Sequence, residues 1–271
     1  MPVAAEFGGP ALFTARTLCD ALRPMCTLAF ALRPSPGVTL AVTGNRNEFL
    51  ARPAAPPRVW PDMPGVLMPR DEQAGGTWLG LTASGLFVCI TNRRGAAPDP
   101  SRRSRGLLVL DALRARDAAS VRALCSAIPG NRYNGFHLVF ADEREAGVAI
   151  CDGERLEIRA LPPGEPHLVT ERSYGAGEGV REREVMREVG PLLLDPGVTA
   201  AMLRPPMQRH GPSPLEGACV HADSLAYGTR SSIQLVLRPS FPDFLWTQGP
   251  PCTFPAQDLS GAAAALLRIS D

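Results

Sequence analysis

The sequence predicts an α+β protein made of two antiparallel sheets with helices outside them, and three observations lead there. Apolar runs of strand periodicity come in hairpins: 27–33 pairs with 38–43 across Pro34-Ser35-Pro36-Gly37, and 75–81 pairs with 86–91 across a turn at 82–85. Leu107, Leu108, Leu110 and Leu113 then lie along one helical face, and 118–128 reads as a second helix. Strand patterns resume at 136–141, 148–151 and 156–161, followed by a helix over 179–194 and late strands near 218–221 and 231–237. Two sheets covered by helices produce this order of elements.

The remaining segments follow from local chemistry. The run 86–91 is nearly all apolar, as expected of a strand buried on both faces. The proline-rich stretch 52–69 is too punctuated for regular structure and is expected to be a long surface excursion. An arginine-rich loop spans 93–105. With no repeat and no linker composition, residues 25–271 read as one domain.

Composition excludes several functions. The chain has 271 residues, 45% of them hydrophobic, which permits a substantial core. Its formal net charge is +1 with no dense basic block, so nothing favours nucleic acid or a membrane surface. All 28 basic side chains are Arg, which removes Schiff-base catalysis, a pyridoxal-phosphate anchor and a P-loop lysine. Proton transfer must therefore come from Cys, His, a carboxylate or an α-amine. Seven scattered cysteines without a CxxC pair point to reduced thiols, and four histidines fall at no metal-binding spacing, so no metal site is expected. Residues 1–24 have neither a secretory signal pattern nor an apolar span, and they read as an extension upstream of the native start. A cytoplasmic protein without transmembrane segments is expected, its oligomeric state left open.

Met25-Cys26 is the point of greatest chemical interest. If translation begins at Met25 and the methionine is removed, Cys26 carries both a thiol and an α-amine whose ordinary pKa is about 8. One residue then supplies nucleophile and base, the logic of an N-terminal nucleophile (Ntn) hydrolase. A buried structural cysteine would look the same in isolation. The hairpin places Asn45-Arg46-Asn47-Glu48 at the end of its second strand, where antiparallel pairing returns it to Cys26. There an Arg would favour the thiolate and an Asn would donate to an oxyanion; a polar turn is the plainer alternative.

These segments belong to an ordered set: Met25-Cys26-Thr27-Leu28, Asn45-Arg46-Asn47-Glu48-Phe49 with Arg52-Pro53, Gly75-Gly76-Thr77-Trp78-Leu79-Gly80, Tyr133-Asn134-Gly135-Phe136-His137-Leu138 with Ala141-Asp142, and Tyr227-Gly228-Thr229-Arg230-Ser231-Ser232. The set resembles the transport and Golgi organisation protein 2 family, also called NRDE after its Asn-Arg-Asp-Glu motif. That resemblance implies an Ntn-hydrolase-like four-layer αββα sandwich with Cys26 as the first mature residue. It also implies links to Golgi organisation, haem mobilisation and lipid metabolism, without a settled substrate. A more distant likeness to cysteine Ntn amidases of the bile salt hydrolase and penicillin V acylase type matches Cys26, Arg46 and Asn92 by position. In that reading Cys26 attacks, Arg46 tunes the thiol and Asn92 donates to the oxyanion.

Two departures weaken catalysis. Asn47 stands where the family and the amidases place an aspartate, and an amide cannot compensate an α-ammonium charge. The segment 168–173 lacks the amidases' second oxyanion-hole asparagine, a loss of about a hundred- to thousandfold in rate. Glu48 points to the face opposite Asn47 if the strand continues. The leading expectation is therefore a carrier for a small hydrophobic ligand, haem or an acyl compound, with no cofactor required and Asn45, Glu48, Trp78 and Arg230 lining the pocket. The alternative is a hydrolase of non-peptide amides acting through a Cys26 thioester. Trp78 reads first as a sheet-packing anchor and second as a pocket wall, His137 and His221 first as hydrogen-bonded core residues and second as haem-iron ligands, and Arg102, Arg103 and Arg105 first as a solvated loop and second as contacts to an anionic ligand group.

Overall fold

Alternation along β1 (Thr27–Ser35) and β2 (Val38–Phe49) decides how the layers stack. Leu28, Phe30, Leu32, Leu40 and Val42 enter one apolar cluster, while Ala29, Ala31 and Ala41 enter another on the opposite face. The computed structural model describes residues 26–95, 97–174 and 177–268. The expected upstream extension at 1–24, with Met25, lies outside the described residues.

The first sheet runs β10 (Pro166–Thr170), β1, β2, β12 (Tyr227–Leu237), β13 (Asp243–Thr247), β14 (Gln257–Asp258), with β11 (His221–Ala222) paired to β12. The second is a meander of β3 (Ala54–Trp60), β4 (Met63–Asp71), β5 (Leu79–Thr82), β6 (Phe87–Asn92), β7 (Phe136–Ala141), β8 (Ala146–Cys151) and β9 (Leu156–Leu161). Neighbouring strands are antiparallel in both sheets. Between the sheets Leu28, Phe30 and Val42 meet Leu81, Phe87 and Val139. Each such side chain removed from water contributes about 2 kcal/mol.

Helices cover both outer faces. Val109 of α1 (Arg105–Leu113) and Val121 of α2 (Ala118–Ser126) share a cluster with Val88, Leu138 and Phe140 of the second sheet. Val185 and Val189 of α3 (Val180–Leu194) and Leu203 of α4 (Ala200–Leu203) cover the alanines of β1 and β2, whose small side chains let the helices approach closely. α5 (Ser260–Arg268) closes one margin, with Ala263 and Leu266 in the inter-sheet core. The layers run α, β, β, α.

One segment differs from expectation. Residues 52–69 hold the hairpin β3–β4 at the margin of the second sheet. Pairing jumps from Ala55–Arg70 to Arg58–Met68, so Pro56, Pro57 and Pro69 sit in a bulge where no ladder hydrogen bond needs their missing N–H. Trp60 fixes the hairpin by donating to Met68 O at 2.8 Å. β12 also begins earlier than the sequence suggests, at Tyr227, and β10, β13, β14, α4 and α5 have no counterpart in the expected pattern.

His137 on β7 is wholly buried beside Thr91, Oγ1 to Nδ1 3.5 Å. Burial, reinforced by the charge of Arg93, pushes its pKa from 6.5 down to about 4. The folded chain therefore refuses a proton that the unfolded chain accepts, so this contribution to stability is complete above pH 6.5 and fades as pH falls toward 4. Roughly 2 kcal/mol is expected to be lost between pH 7 and pH 5. Urea unfolding of His137→Gln should show that part of the slope removed; identical slopes in both proteins would assign it elsewhere.

Candidate functional site

Register brings the site together. Thr27 pairs with Asn45 and Leu28 with Gly44, which leaves Cys26 beside Arg46 at the open end of the sandwich. Cys26 Sγ lies 3.9 Å from the backbone carbonyl of Asn47, a long thiol donation. The face of β2 that holds Leu40 and Val42 continues through Arg46 and Glu48. Arg46 stacks its guanidinium 4.2 Å above the Trp78 ring and reaches Glu48 at 3.4 Å. Arg52 carries the network outward, 3.8 Å from Glu48 and 2.6 Å from Asp71.

Two spaces meet at Cys26. Inward, an apolar slot between the sheets is walled by Leu28, Trp78, Ile90, Ile233 and Trp246, with a free volume of only about 20 Å³. Outward, a polar cleft of about 520 Å³ has Cys26, Arg46, Trp78 and Asn92 in its wall. Five arginines (46, 52, 102, 103 and 105) face three carboxylates (Glu48, Asp71 and Asp99) around this cleft, so its walls carry net positive charge. Arg46 Nη1 and Trp78 Nε1, two buried donors on the shared wall, have no acceptor among the described residues. Burial pushes the Cys26 thiol up to about 11, against the pull of Arg46 and with Glu48 and Glu171 adding to the rise. Arg46 is itself lowered by burial, a shift that Glu48 opposes.

The expected site residues divide between the two faces of β2. Cys26, Arg46, Glu48, Trp78 and Asn92 share the cleft. Asn47 turns its side chain the other way, where Oδ1 accepts from Thr229 Oγ1 at 2.7 Å, so only its carbonyl approaches Cys26. Asn45 holds Met207 O and Ala218 O, both at 2.8 Å, and so anchors the helical layer. Arg230 lies at the bulge of β12 and donates to Arg52 O at 3.3 Å; it lines neither space beside Cys26. Glu48 does point opposite Asn47, and that is the Cys26 side. The arginine loop is tied down: Arg102 donates to Tyr133 O at 3.0 Å and Arg103 to Asp111 at 2.6 Å.

Sequence reasoning missed a buried ion pair. Glu171 and Arg181 are 1% and 5% exposed and bonded to each other, and the Glu171 charge is felt at Cys26. Position 171 lies in the segment 168–173, which holds no asparagine. An acid ten residues before an arginine gives no local signal of pairing.

The two-sheet sandwich, closed by helices and with a cysteine immediately before its first strand, has an Ntn-hydrolase-like fold. A Caenorhabditis elegans N-acylethanolamine-hydrolyzing acid amidase (NAAA) ortholog superposes with a TM-score of 0.51, covering 78% of this chain and 92% of that one at 12% identity. Residues 25–176 match the family model Transport and Golgi organisation 2, and the chain belongs to that family. The Bos taurus Transport and Golgi organization protein 2 homolog is 33% identical over 171 residues, and the Mus musculus homolog 32% over 168. Each alignment spans 58% of this chain and 58% of the relative. Among the described residues, no helix is long and apolar enough to cross a membrane.

Proposed function

We propose that this protein binds a small amphipathic anion, haem or an acyl compound, in the cleft beside Cys26 and carries it without turnover. The observation that supports this most is the pair of unpartnered buried donors, Arg46 Nη1 and Trp78 Nε1, on the wall of a cleft rimmed by arginines. Two orphaned donors call for an acceptor, and leaving them unmet costs more than an ordinary hydrogen bond supplies. The raised thiol and the turned-away Asn47 side chain leave Cys26 poorly set up for attack. Haem and an acyl-coenzyme A, titrated separately, should each bind saturably and compete. Arg46→Gln should weaken both by about tenfold or more, with Cys26→Ala close to wild type. No saturable binding of either compound overturns the reading.

A second reading is favoured by one observation, the shared cleft of Cys26, Arg46 and Asn92. As a mature N-terminus, Cys26 would attack an amide carbonyl while its α-amine takes the thiol proton and returns it to the departing amine; water would then cleave the thioester. A chain beginning at Met25 would then release product from N-acyl amides and lose that activity in Cys26→Ala. In the carrier reading the same panel yields nothing.

A further inference from the structure

On the far side of the first sheet from the cleft, three separate segments bring soft ligands together. His210 follows the short 3₁₀ turn Pro205–Gln208, Cys219 and His221 flank Val220 at the start of β11, and Cys252 lies in the turn after β13. Cys219 and Cys252 are free thiols with their sulfurs 3.5 Å apart. His221 Nε2 is 3.6 Å from Cys219 Sγ and 3.0 Å from Cys252 Sγ. The His210 ring stacks on that of His221 at 5.0 Å, and ligand atoms of all four residues fall within 4.8 Å of one another.

These spacings are those of a metal tetrahedron. With Zn–S near 2.3 Å and Zn–N near 2.05 Å, tetrahedral angles place two sulfurs about 3.8 Å apart and a sulfur and a nitrogen about 3.6 Å apart. The Cys219–Cys252 and Cys219–His221 edges, at 3.5 and 3.6 Å, lie near those values, the His221–Cys252 edge at 3.0 Å is shorter and must open to admit the ion, and the fourth ligand is the exposed His210.

The ligand loops are fixed independently of any ion. Cys219 N donates to Arg209 O at 2.9 Å, and a Cβ at Gly217 would come within 2.5 Å of Gly211 N, so the loop between His210 and Cys219 closes tightly on itself. The Cys252 turn is tied to the His210 segment, because Arg204 and Gln208 both donate to Pro251 O, at 2.8 and 2.9 Å.

We infer that His210, Cys219, His221 and Cys252 bind one zinc ion in a closed structural site. Two thiolates balance the dication, and two imidazoles complete a soft N/S set that calcium and magnesium do not select. With all four positions filled by protein, the ion has no open position for substrate. Its role is to lock the loops behind β2: Val220, between two ligands, donates to Thr229, which in turn holds Asn47. Linear spacing hides this site, since Cys252 joins it from 31 residues beyond His221.

Metal analysis of the full chain, purified under reducing conditions, tests the assignment. One zinc per chain is expected, and its replacement by Co²⁺ should give thiolate charge-transfer and tetrahedral d–d absorption. Cys252→Ser should lose the charge-transfer intensity of one thiolate and bind cobalt about 100-fold more weakly or worse. His210→Ala, altered only at an exposed ring, keeps the test independent of folding and should weaken binding at least tenfold. Chain isolated without metal whose cobalt spectrum lacks thiolate bands would overturn the site. So would recovery of Cys219–Cys252 as a disulfide under thiol trapping, or unchanged cobalt affinity in both variants.

Discussion

Arg181→Met is expected to cost about 3–5 kcal/mol of stability, because it strands the Glu171 carboxylate in a place that water does not reach. Glu171 is 1% exposed, and its described partners are Arg181 and, at 3.8 Å, Arg172. Removing both charges together, as Glu171→Gln with Arg181→Met, should recover only part of the loss, because Arg181 also pairs with buried Glu182 at 3.4 Å and that carboxylate keeps its charge. Urea unfolding of the three variants measures the cycle. A single-variant cost below about 1 kcal/mol would mean that water already solvates the pair. The effect also bears on the cleft. The Glu171 carbonyl accepts from Arg94 N at 2.7 Å, and Thr170 beside it donates to Glu182 of α3 at 2.8 Å. Loosening Glu171 therefore loosens the loop that follows Asn92.

Gly76→Ala is expected to destabilise by about 3 kcal/mol, with a Tm lower by roughly 6–12 °C. A Cβ at position 76 would stand 2.5 Å from the carbonyl carbon of Gly106 and 2.8 Å from its Cα. Both obstacles are backbone, so α1 must shift bodily, and with it the weak bond from Thr77 N to Gly106 O at 3.3 Å. Trp78 follows two residues later, so ligand binding should weaken along with stability. Gly75 provides the control: its φ of +69° strains any other residue, but a Cβ there meets open space. Gly75→Ala should cost only about 1 kcal/mol. Equal losses at the two positions in thermal unfolding would show that backbone strain, and not the Gly76–Gly106 crossing, controls this corner.

Much of this architecture is visible in the chain because its strands alternate cleanly. Leu28, Phe30 and Leu32 against Ala29 and Ala31 mark two faces, one for a sheet and one for a helix. The 52–69 stretch misleads for a definite reason. Prolines break a strand only where their N–H is needed, and a strand at the sheet margin with a bulge does not need it. The late strand β13 and helix α5 escape notice because Phe244, Leu245 and Trp246 form too short a run, while the alanines of α5 carry almost no face.

The sequence by itself indicated that a strand follows Cys26 directly, that the segment Asn45 to Glu48 returns to it, and that the ordered motifs resemble one family. The first two follow from chain-local periodicity and spacing, the third from the resemblance of those motifs to the family's. Tertiary structure alone decided which side of β2 is the cleft, and hence that Glu48 joins Arg46 there while Asn47 and Asn45 serve the helical layer. It also paired Glu171 with Arg181, and it gathered His210, Cys219, His221 and Cys252. The reason is physical: a strand's period of two separates its side chains into two sets, but only the layers packed against each side decide which set meets water, charge or apolar core.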